Sequence, residues 1–319
     1  MRPGRVIGAV NVTFVSLNLL AMSVPTPHAE LLSRIPKREH EVTVLGSTTK
    51  YWDYGPLDAR DTVVIAHGYR GDHHGLEPVI ARLPGIRFIG PDLPGFGAST
   101  PLTEAPHTIE GYGRWLEAFV DALELPEPPV VLGHSFGSIV SSHAVANGLR
   151  VRALMLLNPI STDPRVGAGR TITALTRAFY AVSRAMPKGA ARLWLGNWLV
   201  VQFMSMSLVT TDDPQLAKWI HEEHHRFFNG FQDPRVVADG FTASVSNEVG
   251  TAAERITVPT VLIAGEVDRI TPLEGQFTTV ALFPDAKLVV IDKIGHLLHY
   301  EAPDATAAAI TTFLDELAS

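Results

Sequence analysis

The sequence contains no cysteine. That excludes disulfides, thiolate metal sites and a cysteine nucleophile. Charge is also sparse: Asp, Glu, Lys and Arg make up 18% of residues, and the net charge is -7. A chain with that balance and no basic stripe is not built to grip nucleic acid. No glycine-rich phosphate loop is present, so nothing points to a nucleotide. What the chain has in quantity is apolar surface. Hydrophobic residues are 46% of 319, enough for a large core in one domain with an insertion, or in two small domains.

The remaining sequence is organised around Val130-Val131-Leu132-Gly133-His134-Ser135-Phe136-Gly137-Ser138-Ile139-Val140. A short apolar run ends at Gly133, and an apolar-periodic helix begins just past Ser135. Between them lies G-x-S-x-G. That pattern suits a strained strand-to-helix turn holding the serine Oγ out of a sheet. The helix N-terminus behind it favours developing negative charge. Short patterns of this kind also arise by chance. The strand before and the helix after it argue for a nucleophile.

The N-terminus admits three readings. Met1 to Arg5 carries two arginines, and Val6 to Val24 is apolar with scattered Asn, Thr and Ser. It reads as a retained helix, as a signal peptide with a poor cleavage site, or as a segment touching a membrane through residues 6–24. The expected location is cytoplasmic with membrane association, or secreted if residues 1–29 are a signal peptide.

Further on, Glu41–Leu45 and Thr49–Gly55 read as a hairpin about Gly46-Ser47. Thr62–Ala66, Ile86–Gly90, Val130–Leu132 and Ala153–Leu157 are apolar runs suited to strands buried on both faces. Gly75–Leu83 and Thr108–Leu125 show helical spacing. The alternation implies parallel βαβ units. It places His67, Asp92, Ser135 and Asn158 just past strand ends, where such sheets bind ligands. The rhythm breaks between Ile160 and Thr257, which reads as a helical cap. Trp194, Trp198, Phe203 and Met204 are expected to line an apolar pocket beneath it. Strand patterns resume at Pro259–Gly265 and Lys287–Ile291, and a last helix starts at Pro303. The expected division is an N-terminal segment over 1–38, a core over 39–159 and 258–319, and a cap over 160–257.

A serine hydroxyl needs a base within reach and a third group to orient that base. His296 follows the last strand and Asp268 the one before, giving the chain order Ser, Asp, His. Glu266 competes with Asp268 for the acid. Backbone N–H groups of Phe136 and Tyr69 are the expected oxyanion donors. His67 is expected to brace the loop that carries Tyr69. No metal is expected. His221-Glu222-Glu223-His224-His225 has histidines at i,i+3 and i,i+4 spacing and formally matches His-Glu-x-x-His, but it is read as a solvated cap helix rather than a metal site.

These residues carry a family resemblance. The chain resembles capped, esterase- and lipase-like members of the α/β-hydrolase fold in His67-Gly68, Asp92 to Ser99, Gly133 to Gly137, Gly265 to Pro272 and Gly295-His296. The resemblance implies a mostly parallel sheet flanked by helices, a helical cap and a cofactor-free serine hydrolase. Its implied substrate is a small to medium apolar ester, cleaved through an acyl-enzyme. C–C bond or thioester hydrolysis on the same triad is the alternative, and a non-catalytic ligand-binding member of the fold is the second. Asp92 is implied as a turn former. A serine at 135 sets the chain apart from epoxide hydrolases and haloalkane dehalogenases, which attack through a carboxylate. The oligomeric state is open.

Overall fold

A computed structural model describes residues 24–162 and 170–318. The apolar segment read at 6–24 therefore lies, apart from Val24, outside the described residues.

The chain begins with a short helix α1 (Ala29–Leu32), then strands β1 (Lys37–Val44), β2 (Ser47–Tyr54) and β3 (Thr62–Ala66). A 3-10 turn and α2 (Glu77–Ile80) lead to β4 (Arg87–Pro91) and α3 (Ile109–Ala122). The centre is β5 (Val130–His134), α4 (Phe136–Ala146) and β6 (Ala153–Leu157). Helices α5 (Arg170–Ala185), α6 (Lys188–Leu195), α7 (Trp198–Leu208), α8 (Pro214–Phe227), α9 (Pro234–Val245) and α10 (Gly250–Ala253) follow. The core closes with β7 (Thr260–Gly265), α11 (Leu273–Val280), β8 (Ala286–Ile291), α12 (Leu298–Glu301) and α13 (Pro303–Glu316).

The strands form one eight-stranded sheet in the order β1-β2-β4-β3-β5-β6-β7-β8. The β1–β2 and β2–β4 pairs are antiparallel, and every pair from β4 to β8 is parallel. Strand pleating explains the unbroken apolar runs, because successive side chains face opposite sides. Val64, Val131, Leu154, Leu156 and Leu262 join one core cluster. Their neighbours Val63, Val130, Met155, Leu157 and Val261 join the other. Both faces are covered by helices, so alternate polar residues would be buried without partners.

The hairpin differs in detail from the sequence reading. Val44 pairs with Ser47, and the turn residues Leu45 and Gly46 have φ of 47° and 73°. The turn thus lies one residue earlier than Gly46-Ser47. The first strand also starts at Lys37 rather than Glu41. Its polar start leaves no apolar alternation to read, and it is held by backbone pairing at the sheet edge.

Helices α5 to α9 sit between β6 and β7 over the carboxyl ends of the strands. They share the core rather than forming an isolated unit: Tyr180, Leu195, Val236 and Val237 belong to the same cluster as Val131 and Leu154. Val249, Ala252, Ala253 and Ile256, after α9, join the same cluster. Among the described residues, no helix is long and apolar enough to cross a membrane.

Candidate active site

Ser135 sits between β5 and α4 with φ 51° and ψ −114°, a conformation costly for a side-chain-bearing residue. The flanking glycines make it attainable. A Cβ on Gly137 would stand 1.9 Å from the Ala66 carbonyl oxygen, and one on Gly133 would stand 2.5 Å from the Gly137 oxygen. The turn is pinned by the Ser135 N–H donating to the Leu157 oxygen at 3.0 Å.

His296 and Asp268 come to this turn from separate loops. The Nδ1 of His296 lies 2.7 Å from Asp268 Oδ2, and its Nε2 lies 2.8 Å from Ser135 Oγ. An ionised carboxylate only accepts, so Nδ1 carries the proton and donates it. That leaves the Nε2 lone pair to accept from the serine hydroxyl. Burial pushes the Asp268 carboxyl up, but His296 and the Thr271 donors outweigh it, and the net shift is downward. Asp268 Oδ1 accepts from the N–H groups of Ile270 and Thr271 at 2.7 and 3.0 Å, and Oδ2 accepts from the Thr271 hydroxyl at 2.5 Å. A carboxylate so held stays ionised and fixed in direction. Glu266, the competing acid, instead accepts from the Lys293 N–H at 2.8 Å.

The Gly68–Tyr69 loop passes directly over the turn: a Cβ on Gly68 would lie 3.6 Å from Ser135 Cβ. His67 braces that loop. Its Nε2 accepts from the Leu93 N–H at 2.8 Å, so its Nδ1–H donates to the Gly68 oxygen at 2.8 Å. Asp92 organises the neighbouring turn by accepting from the N–H groups of His73 and Ala98. Tyr69 is further fixed by its hydroxyl, which donates to the Val237 oxygen at 2.7 Å.

A cavity of about 1300 Å³ opens above Ser135. Phe203 and Met204 line it, as expected from the sequence. Trp194 and Trp198 do not. Trp194 stacks on Phe179 at 5.2 Å and Trp198 on His225 at 5.0 Å, and both remain partly open to solvent. Helix periodicity identifies an apolar face but not which of two apolar faces looks inward.

Several supports were not evident from sequence. Asn158, at φ 41°, accepts from the Gly265 N–H at 2.8 Å and donates to the Gly295 oxygen at 3.0 Å, tying together the Asp268 and His296 loops. Its only signal was its place past a strand end. Thr210, between α7 and α8, accepts from the Gly295 N–H at 3.0 Å. Arg70 is buried at φ 61° and donates to the Leu195 and Phe228 oxygens and to Asn229 Oδ1, all from cap segments.

The segment read as a solvated helix is not solvated throughout: on α8, Trp219, Ile220 and His224 are buried against neighbouring elements, because one face of the helix packs inward. His221 and His224 both meet Ser205 Oγ at 2.6 Å, and His225 meets Gln202 at 2.8 Å. Asp72, His73 and His74 bring ligand-type atoms within 4.8 Å of one another. Their inward groups already hydrogen-bond, His73 to Asp92 and His74 to Asp72.

The alpha/beta hydrolase fold model matches residues 61–303. The chain belongs to the α/β-hydrolase fold family. A 2-hydroxy-6-oxononadienedioate/2-hydroxy-6-oxononatrienedioate hydrolase of Cupriavidus pinatubonensis is 25% identical over 268 residues, covering 80% of this chain and 86% of that one. Lipase 3 of a Moraxella species is 22% identical over 266 residues, covering 81% and 78%. Among solved structures, a thermophilic esterase from Thermogutta terrifontis superposes with a TM-score of 0.70 at 21% identity, covering 88% of this hydrolase and all of that chain. The protein is an enzyme of the hydrolase type.

Proposed function

We propose that this hydrolase cleaves small to medium apolar carboxylic esters through an acyl-enzyme on Ser135. The observation that carries the reading is the continuous relay Ser135–His296–Asp268, with links of 2.8 and 2.7 Å. Ser135 Oγ attacks the ester carbonyl carbon as His296 Nε2 takes its proton. The backbone N–H groups of Tyr69 and Phe136 receive the oxyanion. His296 then returns the proton to the leaving alkoxide, and the C–O bond breaks. Water, deprotonated by His296, attacks the acyl-enzyme and releases the acid. Asp268 orients His296 and steadies its charged form. The sequence of steps needs no cofactor.

The cavity lining supports a neutral, apolar substrate. Leu175, Leu199, Phe203, Met204, Phe228 and Phe241 contribute to it, and among the described residues Arg269 is the one Lys or Arg. Among the described residues, a dicarboxylate such as the relative's nonadienedioate would meet Arg269 beside the carboxylates of Asp72 and Glu248. Burying anionic groups there without partners is costly. The ester reading is therefore favoured over C–C hydrolysis.

A chain-length series of p-nitrophenyl esters tests it, with wild type beside Ser135→Ala. The expected result is turnover that peaks at one acyl length and falls by about 10⁶-fold in the variant. Absence of turnover on every ester by folded wild type overturns the ester reading.

A further inference from the structure

We propose that the open face of α7, with the adjoining flanks of α5 and α6, docks on an anionic lipid surface and presents the cavity mouth to it. The observation begins with α7 itself. Its sequence, Trp198 to Leu208, contains no charged residue. Only Val201 and Ser205 are fully buried. At about 100° per residue, Leu199, Phe203 and Met206 fall on one arc of the helix, roughly opposite Val201, and Trp198 stands at the edge of that arc beside Ser205. Trp198, Leu199, Phe203 and Met206 are all exposed, Phe203 at 73%. Leu193 on α6 adds to the patch at 78% exposure. An uncharged helix with large apolar side chains on its open face belongs in an interior or against lipid, and Trp198, Leu199, Phe203 and Met206 of this one are uncovered.

Charge identifies the occupant. Residues 164–211 contain six Lys and Arg and no Asp or Glu, in a chain whose net charge is -7. Within that stretch, Arg184 pairs with Asp239 and Lys188 with Asp233. The exposed Arg177 and Arg192 have no carboxylate partner among the described residues. Arg192 lies over the Phe231 ring at 5.1 Å, a contact that leaves its charge unneutralised. Aromatic and aliphatic side chains on a stretch with a surplus of cations fit an anionic bilayer surface, where the apolar groups enter the headgroup boundary and the cations meet phosphates. A second copy of this chain would set like charges against each other across such a face.

Position gives the contact a purpose. Leu175, Leu199 and Phe203 both line the cavity and are exposed, so they stand at its mouth. With that rim against lipid, an apolar molecule passes from membrane to Ser135 without crossing water.

The test is sedimentation of the full-length protein with vesicles, which reads binding without turnover and so stands apart from the ester reading. The probes are vesicles of phosphatidylcholine alone and of equimolar phosphatidylcholine and phosphatidylglycerol. Wild type is expected to bind the anionic vesicles more tightly. The double variant Arg177→Gln/Arg192→Gln should weaken that binding by about 30-fold. Leu193→Glu/Met206→Glu should abolish binding to both. These side chains are exposed, and thermal melting verifies that the variants stay folded. Quenching of tryptophan emission by brominated phosphatidylcholine gives a second reading, expected to be largely lost in Trp194→Phe/Trp198→Phe. No binding by wild type overturns the proposal. So does equal binding to both vesicle types. Vesicle binding that survives all three sets of cap substitutions assigns the contact to another segment and overturns it as well.

Discussion

The sheet buries apolar side chains on both faces, whereas the helices between β6 and β7 leave large ones in the open. Val131, Leu154 and Leu262 are wholly enclosed, while Leu193, Leu199 and Phe203 stand mostly in solvent. The difference separates two tasks. The sheet holds loops rigidly enough for Ser135, Asp268 and His296 to meet within hydrogen-bond distance. The cap helices shape what reaches them. Rigidity is needed where a misplaced atom costs rate, and exposure is tolerated where a surface meets a substrate or a partner.

The sharpest contrast is in catalysis. Asp268→Asn keeps the side-chain shape but removes the acceptor charge that fixes the His296 tautomer. Its kcat is expected to fall by about 10⁴-fold. Phe203→Ala, at the cavity mouth, should instead move KM and the preferred acyl length, with kcat within about tenfold of wild type. Steady-state kinetics over an ester series read both. A cap variant as damaging to kcat as the Asp268 variant would break the comparison.

Stability offers a second contrast with the same chemical change in both regions. Leu262→Ala, in the sheet, should cost about 2–5 kcal/mol. Leu193→Ala, on α6, should stay within about 0.5 kcal/mol. Urea unfolding measures the difference, and equal losses would show that the cap surface is structural.

Arg70 lies where the two regions join. It leaves the Tyr69 loop of the core and spends its guanidinium on cap carbonyls. Arg70→Met preserves volume but strands the Leu195 and Phe228 oxygens. A loss of about 2–3 kcal/mol is expected, together with a lower kcat as the Tyr69 N–H loses its anchor. If urea unfolding and kcat both match wild type, the cap and this loop are not coupled through Arg70.

Acid gives a further comparison of the two regions. Burial lowers the His134 and His224 imidazoles to about 3, from an ordinary value of 6.5. The unfolded chain therefore binds protons that the folded chain refuses between those values. Their stabilising contribution is complete above about pH 6.5 and declines as pH falls toward about 3, by about 1.4 kcal/mol per unit for each group. One of these histidines belongs to the core and one to the cap. Melting curves of His134→Gln and His224→Gln, each with a shallower acid slope than wild type, would show both regions contributing.

Much of the core was readable because double burial writes itself into sequence as unbroken apolar runs, and loops past strand ends then place Ser135, Asp268 and His296 together. The cap was readable only as helices. Whether Trp194 or Phe203 faces the cavity depends on how α6 and α7 pack, which periodicity does not encode. Asn158, Thr210 and Arg70 were silent for a related reason. Their partners are distant in sequence: Asn158 bonds to Gly265 and Gly295, and Arg70 to Leu195 and Phe228.

Catalysis by this triad requires that Ser135 become acylated. Wild type quenched in acid during turnover of a slowly deacylated p-nitrophenyl ester, then digested and weighed by mass spectrometry, tests that directly. The predicted result is one acyl adduct, on the peptide containing Ser135, absent from Ser135→Ala along with turnover. An adduct on another residue, or full turnover by Ser135→Ala, would contradict it.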